Sequence, residues 1–405
     1  MTERLMRIAL VADAYKPLRS SAAVQIRDLA HELAAQGHSP TVIVPAIQLE
    51  RDWSLENDDG VEVLRVSAPR TKDVGNVRRV LSELLLPYVM LRRFSQSPLS
   101  GRQWDAVVWY SPSIFLGPLV SRLKRAYHCP SYLILRDMFP EWAVDTGVIG
   151  RGPAFHLFKR VARYQYSLAD TIGVQSPANL GLFDGSDGSG QRRVEVLNNW
   201  LAEPRNAQSP VLVSETTLAG RTIFVYAGNM GVSQDMPAVL RLAERMQSRQ
   251  DAGFFFVGRG TEVDKLRALA MQMKLDNTLF HGEIEPWEVP GMLAQCHIGI
   301  VTLDLRHKTH NVPGKFLNYL QAGLPVLARL NPGNDLEKLI RDEGVGLSCS
   351  DPSIELFHEL AVKLLDDRGS FEHAAARGKE LAQRMFSVRA AAAQIVDRLQ
   401  NSNGQ

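Results

Sequence analysis

Short, nearly all-apolar runs alternate with longer segments of helical period along almost the whole chain, and this alternation restricts the fold more than any other feature. "MRIALVA" near the start has no polar face, as a strand covered on both sides requires. A loop, "DAYKPLRS", leads into "SSAAVQIRDLAHELAAQGHS". There Val24, Ile26, Leu29, Ala30 and Leu33 recur at roughly helical spacing, and Gly37 supplies a stop. "PTVIVPA" is the next strand and completes a βαβ unit. "VEVLRV", "DAVVWYS", "SYLILRDM", "TIGVQS" and "VEVLNN" continue the series, with helical segments between most of them. The spacing predicts a parallel sheet with helices on both faces.

The pattern lapses before residue 221 in a polar stretch with two prolines, then resumes. "TIFVYAGN", "AGFFFVGRG", "NTLFHGEI", "HIGIVTL", "LPVLARL" and "GVGLSCS" read as strands of a second α/β series. At 405 residues the chain is too long for one ordinary core. The expected division is a first domain over 1–205, a linker over 206–220, a second domain over 221–384, and a C-terminal helix over 385–405 crossing back to the first. "DGSDGSGQRR", 184–193, reads as a mobile loop.

Several function classes drop out. The net charge of +2 gives no whole-chain case for nucleic-acid binding. Three scattered cysteines, Cys129, Cys296 and Cys349, without a C-x-x-C, point to a reducing cytoplasm and away from a thiolate metal site. The N-terminal apolar run is short for a signal peptide, and no run is long enough to span a bilayer. The first βα junction lacks G-x-G-x-x-G, and no GxxxxGK[ST] occurs, which counts against a nicotinamide dehydrogenase and a P-loop ATPase. No H-E-x-x-H and no Asp-x-Asp is present, so no metal site is expected.

Candidate chemistry concentrates where strands give way to helices. "RHKTHNVPGKFLNYLQAGLPV", 306–326, sets Arg306, Lys308 and His310, then Asn311 and Val312, before a helix opening at Pro313 and Gly314. Phe316, Leu317 and Leu320 can share its buried face; Lys315 and Asn318, three apart, share the other. Unsatisfied N–H groups and the positive dipole end at a helix start favour an anion, so the stretch predicts a polyphosphate site. A solvated basic loop is the alternative. "VYAGNMGVSQ" places Gly228, Asn229 and Gly231 after a strand, and "FVGRGTE" places Gly258, Arg259 and Gly260. Small residues there allow close approach of a ligand to the backbone, or simply make a turn. "LRDMFPEWAVD" offers Arg136, Asp137 and Glu141 at a strand's carboxyl end, either as acid–base groups or as a loop salt bridge. "NVRRVLSELLLPYVMLRRF", 76–94, suits an anionic membrane surface or ordinary helix packing.

Taken in order, these segments resemble the glycosyltransferases of family four. "LAHELAAQGHSPTVIVP" is similar to that family's first helix and second strand, "RDMFPE" to its H-D-x-x-P-type segment, and "VLNNW" to the segment before its linker. "VYAGNMG", "FVGRGTE" and "LFHGEI" are similar to its donor-domain strand ends, and "NVPGKFLNYLQAGLPVLA" to its most diagnostic helix and strand. The resemblance implies a GT-B fold: α/β, with two doubly wound Rossmann-like domains facing a central cleft. It implies retaining transfer from a nucleotide diphosphate sugar, UDP-linked, to a lipid-linked glycan acceptor in surface-polysaccharide or O-antigen assembly. The sugar would be an N-acetylated hexosamine or 6-deoxyhexosamine. No cofactor, bound metal or nucleic acid is implied. The protein would be cytoplasmic, with inner-membrane contact through 76–94.

Carried onto this chain, the resemblance assigns Lys315, Arg136, Asp137 and Glu141 to the chemistry. It assigns Gly228, Asn229, Arg259, His281, Gly282, Lys308, His310, Asn311, Val312, Pro313, Gly314 and Asn318 to the donor. Lys16, Ser20, Ser21 and Asn199 fall to the acceptor or cleft. Four departures stand out. His310 and Asn318 occupy positions where many members keep glutamates. Asn229 and Gln234 stand roughly where many keep Arg and Lys. Ser20-Ser21 replaces Gly-Gly, and Arg136 replaces a histidine. A nucleotide-sugar 2-epimerase of the same fold, or a non-catalytic nucleotide-sugar-binding subunit, are the competing readings.

Overall fold

The computed structural model describes residues 5–18, 20–47, 49–70, 76–111, 113–145, 147–183, 192–203, 208–306 and 312–401. Lys308, His310 and Asn311 of the basic loop, and the 184–191 part of the Gly/Ser-rich loop, lie outside these residues.

Every apolar run named above forms a strand. The first sheet contains β1 (Arg7–Val11), β2 (Ser39–Ala46), β3 (Trp53–Asp58), β4 (Val61–Ser67), β5 (Ala106–Ser111), β6 (Ser131–Leu135), β7 (Thr171–Val174) and β8 (Arg193–Val196). Their order is β3-β4-β2-β1-β5-β6-β7-β8, all parallel except β3. The order reverses at β1, so the carboxyl edge around β1, β5 and β6 is the natural ligand side. β3 is an addition to the expected strands. It is a half-exposed edge strand, antiparallel to β4 through a two-residue Asp59-Gly60 turn with φ of 47° and 92°.

Both faces of this sheet are covered. Ala9, Val11, Val107, Trp109, Leu133 and Leu135 share a cluster with buried side chains of helices Asn76–Ser95 and Gly117–Tyr127. Helix Ser21–Ala35, N-capped by Ser20, packs on β2 and on helix Val388–Asn401, which also packs on β6. Gln394 and Arg398 of that last helix hydrogen-bond to Glu195.

The second sheet contains β9 (Thr222–Ala227), β10 (Ala252–Val257), β11 (Thr278–His281), β12 (Ile298–Thr302), β13 (Val326–Arg329) and β14 (Gly346–Cys349). Its order is β11-β10-β9-β12-β13-β14, all parallel. Phe224, Phe254, Phe255 and Phe256 are buried in it, with Phe224 and Phe254 stacked at 5.0 Å.

The chain divides into two compact units, 1–198 with 388–405, and 199–387. The break between helix Arg368–Met385 and helix Val388–Asn401 falls at Phe386-Ser387, where the chain leaves the second unit for the first. Among the described residues, no helix is long and apolar enough to cross a membrane.

Candidate active site

The carboxyl edge of the second sheet is assembled from backbone. Gly228, after β9, donates its N–H to the Val257 carbonyl at 2.9 Å, and Met230 donates to the Arg259 carbonyl at 2.7 Å. Gly258 donates to the His281 carbonyl at 3.3 Å, which joins the ends of β9, β10 and β11. Gly258 has φ +140°, and a Cβ there would lie 2.1 Å from the Gly228 carbonyl oxygen. Only glycine permits this approach of two backbones. Gly228, Asn229, Arg259, His281 and Gly282 are thereby brought to one edge.

Helix Gly314–Ala322 delivers Lys315 to the same edge. Phe316, Leu317, Tyr319 and Leu320 are buried, which fixes the helix on the sheet, and Gly323 at φ 75° ends it. Pro313 precedes the first turn, and no side chain among the described residues caps it; the Phe316 N–H is taken by the Pro313 carbonyl at 3.0 Å, which leaves the N–H groups of Gly314 and Lys315 at the helix start. The Lys315 chain lies across Gly228; a Cβ on Gly228 would be 3.4 Å from Lys315 Cε. Its ammonium donates to the Tyr226 hydroxyl at 2.7 Å and sits 4.2 Å from that ring's centroid. Tyr226 in turn donates to the Asn229 carbonyl at 2.7 Å. Lys315 pairs with no carboxylate among the described residues. Burial pulls its pKa down to about 7. A half-buried ammonium, without an acid, beside an uncapped helix start is a seat for an anion.

The other basic groups stand differently. Arg306 is held by Asp304 through Nε and a terminal nitrogen, at 2.9 and 2.5 Å, so its charge is already matched. Arg259 is exposed and pairs with Glu283 at 3.3 Å, a contact water screens and a ligand can replace. Asn318 is partly exposed on the helix, three residues from Lys315. Asn199 is not presented to solvent: it is 4% exposed, and its amide donates to the Val312 carbonyl at 2.5 Å, holding the strand of chain that enters the Gly314 helix. Arg329, at the end of β13, is buried against Asp235 and the Pro352 carbonyl; the sequence reading passed over this pair, which pins the loop after β9.

In the first unit, the carboxyl edge holds Asp13 after β1 and Asp137 after β6. Burial pushes the Asp137 pKa up to about 6; the Arg136 guanidinium opposes this shift and the Asp13 carboxylate adds to it. Asp13 was not singled out from the sequence, although an acid straight after the first strand is its signal. Arg136 is held internally. It is 4% exposed and donates to the Leu197 carbonyl at 2.6 Å and the Asn198 carbonyl at 3.2 Å. These bonds make it a tie between strand ends. Glu141 opens a short helix, Glu141–Asp145, and pairs with Lys159 at 3.3 Å. Lys16 is bound to Asp58, which also accepts from Tyr15 at 2.9 Å. The Ser20 hydroxyl accepts the Ala23 N–H at 3.4 Å as a helix cap, while Ser21 is exposed.

Known proteins share this fold. A glycosyl transferase 4-like domain model matches residues 21–200, and a glycosyl transferases group 1 model matches residues 214–383. "Probable glycosyltransferase WbjE" of Pseudomonas aeruginosa is 26% identical over 280 residues, which is 68% of this chain and 70% of that protein. The structure of Anabaena Alr3699/HepE in complex with UDP and glucose superposes with a TM-score of 0.67 at 14% identity, over 98% of this chain and 100% of that one. WaaG, a glycosyltransferase involved in lipopolysaccharide biosynthesis, superposes with a TM-score of 0.64 at 14% identity, over 97% and 99%. With glycosyl transferase models matched in series over most of its length and a fold shared with these enzymes, the chain belongs to the family-four glycosyltransferases of GT-B fold.

Proposed function

We propose that this glycosyltransferase moves an N-acetylated hexosamine or 6-deoxyhexosamine from a UDP-linked donor to a lipid-linked glycan, with retention at the anomeric carbon and no resident metal. The observation that carries the donor reading is Lys315: an ammonium with no acid beside it, at an uncapped helix start, across Gly228. A departing diphosphate needs such donors, because its charge grows as the glycosidic bond breaks. Lys315 and the N–H groups of the first helical turn would meet that charge. Arg259 would join once it leaves Glu283, and Asn318 would take the ribose through its amide. The departing phosphate oxygen would accept the acceptor's proton on the same face, giving retention. Asp137 would orient a sugar hydroxyl in the first domain.

UDP in the HepE complex and the lipopolysaccharide role of WaaG support the choice of nucleotide and pathway class. The lack of Asp-x-Asp supports independence from metal. A lipid-linked acceptor would bring the protein to a membrane surface, for which 76–94 is the proposed contact. The test is transfer from UDP-sugars to a lipid-linked acceptor, with the anomeric configuration of the product read by NMR and EDTA in a parallel reaction. Retained configuration and unchanged rate in EDTA are expected. Donor epimerised without acceptor, or UDP bound with no transfer to any acceptor, would overturn the assignment.

A further inference from the structure

One face of the first domain carries charge and apolar surface that neither the donor site nor the core uses. Helices Asn76–Ser95, Gly117–Tyr127 and Pro153–Ser167 form one layer on the first sheet, the second packing against both others. Val80 and Leu84 of the first meet Phe158 and Ala162 of the third around Ile114 and Phe115. The sequences of these three helices hold ten Lys/Arg and a single acid, Glu83. The two helices packed together elsewhere on the sheet, Ser21–Ala35 and Val388–Asn401, hold three basic and three acidic residues. The imbalance therefore belongs to one layer and not to the domain as a whole.

Arg93, Lys124 and Lys159 are matched by Asp52, Asp170 and Glu141. Arg92, Arg122, Arg125, Arg160 and Arg163 are exposed and make no ion pair among the described residues. Two of these helices also expose large apolar side chains, in a stripe on the first. Leu81, Leu85 and Tyr88, spaced i, i+4 and i+7, are 56%, 57% and 60% exposed. Leu157 and Tyr164, seven apart on the third helix, are also exposed.

We propose that this three-helix layer docks on an anionic lipid bilayer. Arginines would lie among lipid phosphates, while Leu81, Leu85 and Leu157 would enter the boundary between headgroups and acyl chains and the tyrosines would sit at the interface. Charge complementarity selects the occupant: five unmatched guanidiniums and almost no acid favour a dense anionic surface, and exposed leucines require an apolar phase beneath it. A nucleic acid supplies the first and not the second. The inference rests on the lipid-linked acceptor proposed above and extends the contact from 76–94 to helices 117–127 and 153–167.

The test is co-sedimentation of the full chain with phosphatidylglycerol–phosphatidylcholine vesicles, with phosphatidylcholine vesicles and with a single-stranded RNA oligomer, alongside UDP calorimetry. Binding to the anionic vesicles alone, lost at high salt, is expected. Arg160→Glu with Arg163→Glu should weaken partitioning at least about twentyfold. Leu81→Ser with Leu85→Ser should weaken it about tenfold or more. Both variants should bind UDP as the parent does. No vesicle binding, binding unaffected by both variants, or RNA bound in place of vesicles would overturn the docking face. Vesicle binding without UDP binding would instead overturn the donor assignment and leave the docking face standing.

Discussion

Binding of UDP should draw a proton onto Lys315. In the empty site burial holds its pKa at about 7, against an ordinary 10.5. A diphosphate beside the ammonium favours the charged form and restores at least the ordinary value. The difference, about 3.5 units, corresponds to a coupling of up to about 5 kcal/mol between proton and ligand. At pH 8 the empty site would carry a proton on Lys315 in about one molecule in ten, so binding should take up about 0.9 proton; at pH 7 the uptake should be about 0.5. The terminal phosphate of UDP, with a second pKa near 6, is almost fully ionised at pH 8 and contributes little there. From pH 7.5 upward the Kd should rise about tenfold per unit. The sign for stability follows from the same depressed value. The empty second domain bears the full cost of a buried ammonium below pH 7 and is relieved of it as pH rises to 10.5. Calorimetry of UDP binding in two buffers of different ionisation enthalpy measures the uptake directly. Lys315→Arg, which stays charged, should abolish the uptake without abolishing binding, and Lys315→Met should abolish both. Zero uptake at pH 8 with a flat Kd from pH 7 to 9 would refute the placement of the diphosphate at Lys315.

Gly258→Ala should destabilise the second domain by about 3 kcal/mol or more, since its Cβ would meet the Gly228 carbonyl at 2.1 Å; an unchanged midpoint in urea would contradict the backbone contact. Arg136→Met should cost about 3 kcal/mol by leaving the Leu197 and Asn198 carbonyls without their donor. If it folds with parental stability and loses only turnover, Arg136 belongs to the chemistry after all. Asp137→Asn should stabilise the first domain by up to about 3 kcal/mol above pH 6 and make no difference below pH 4, because the folded pKa of about 6 lies above the ordinary 3.8 and the parent loses stability as pH rises through that window. Equal unfolding midpoints for parent and variant at pH 7.5 would remove the buried carboxylate from the account.

What the sequence revealed followed the reach of its local signals. Strands covered on both faces, such as β1, β5, β6 and β10, announce themselves as nearly unbroken apolar runs, and all thirteen stretches read as strands form one. β3 escaped because "WSLEND" faces solvent and carries no such signature; only the Asp59-Gly60 turn marked it. The side-chain pairings escaped for another reason. Arg136 at a strand's carboxyl end has the address of a catalytic residue, yet its partners stand 61 and 62 positions away, and nothing local distinguishes a guanidinium aimed at a substrate from one tying two strand ends. Tyr226 reads as one more apolar strand residue in "TIFVYAGN", and its hydroxyl gains a role only when Lys315, 89 residues on, arrives above it.

The absent acid on the Gly314 helix takes on a meaning in this light. Lys315 and Asn318 are three apart, the spacing at which a carboxylate would reach the ammonium. A glutamate at 318 would pair with Lys315, hold its pKa up, and compete with an incoming phosphate. An asparagine keeps hydrogen-bonding capacity toward a ribose while withdrawing the competing charge. The Tyr226 hydroxyl then orients the ammonium without neutralising it. On the proposed donor reading, Asn318 and Lys315 would be two parts of one arrangement, in which no carboxylate among the described residues competes with the substrate for the ammonium.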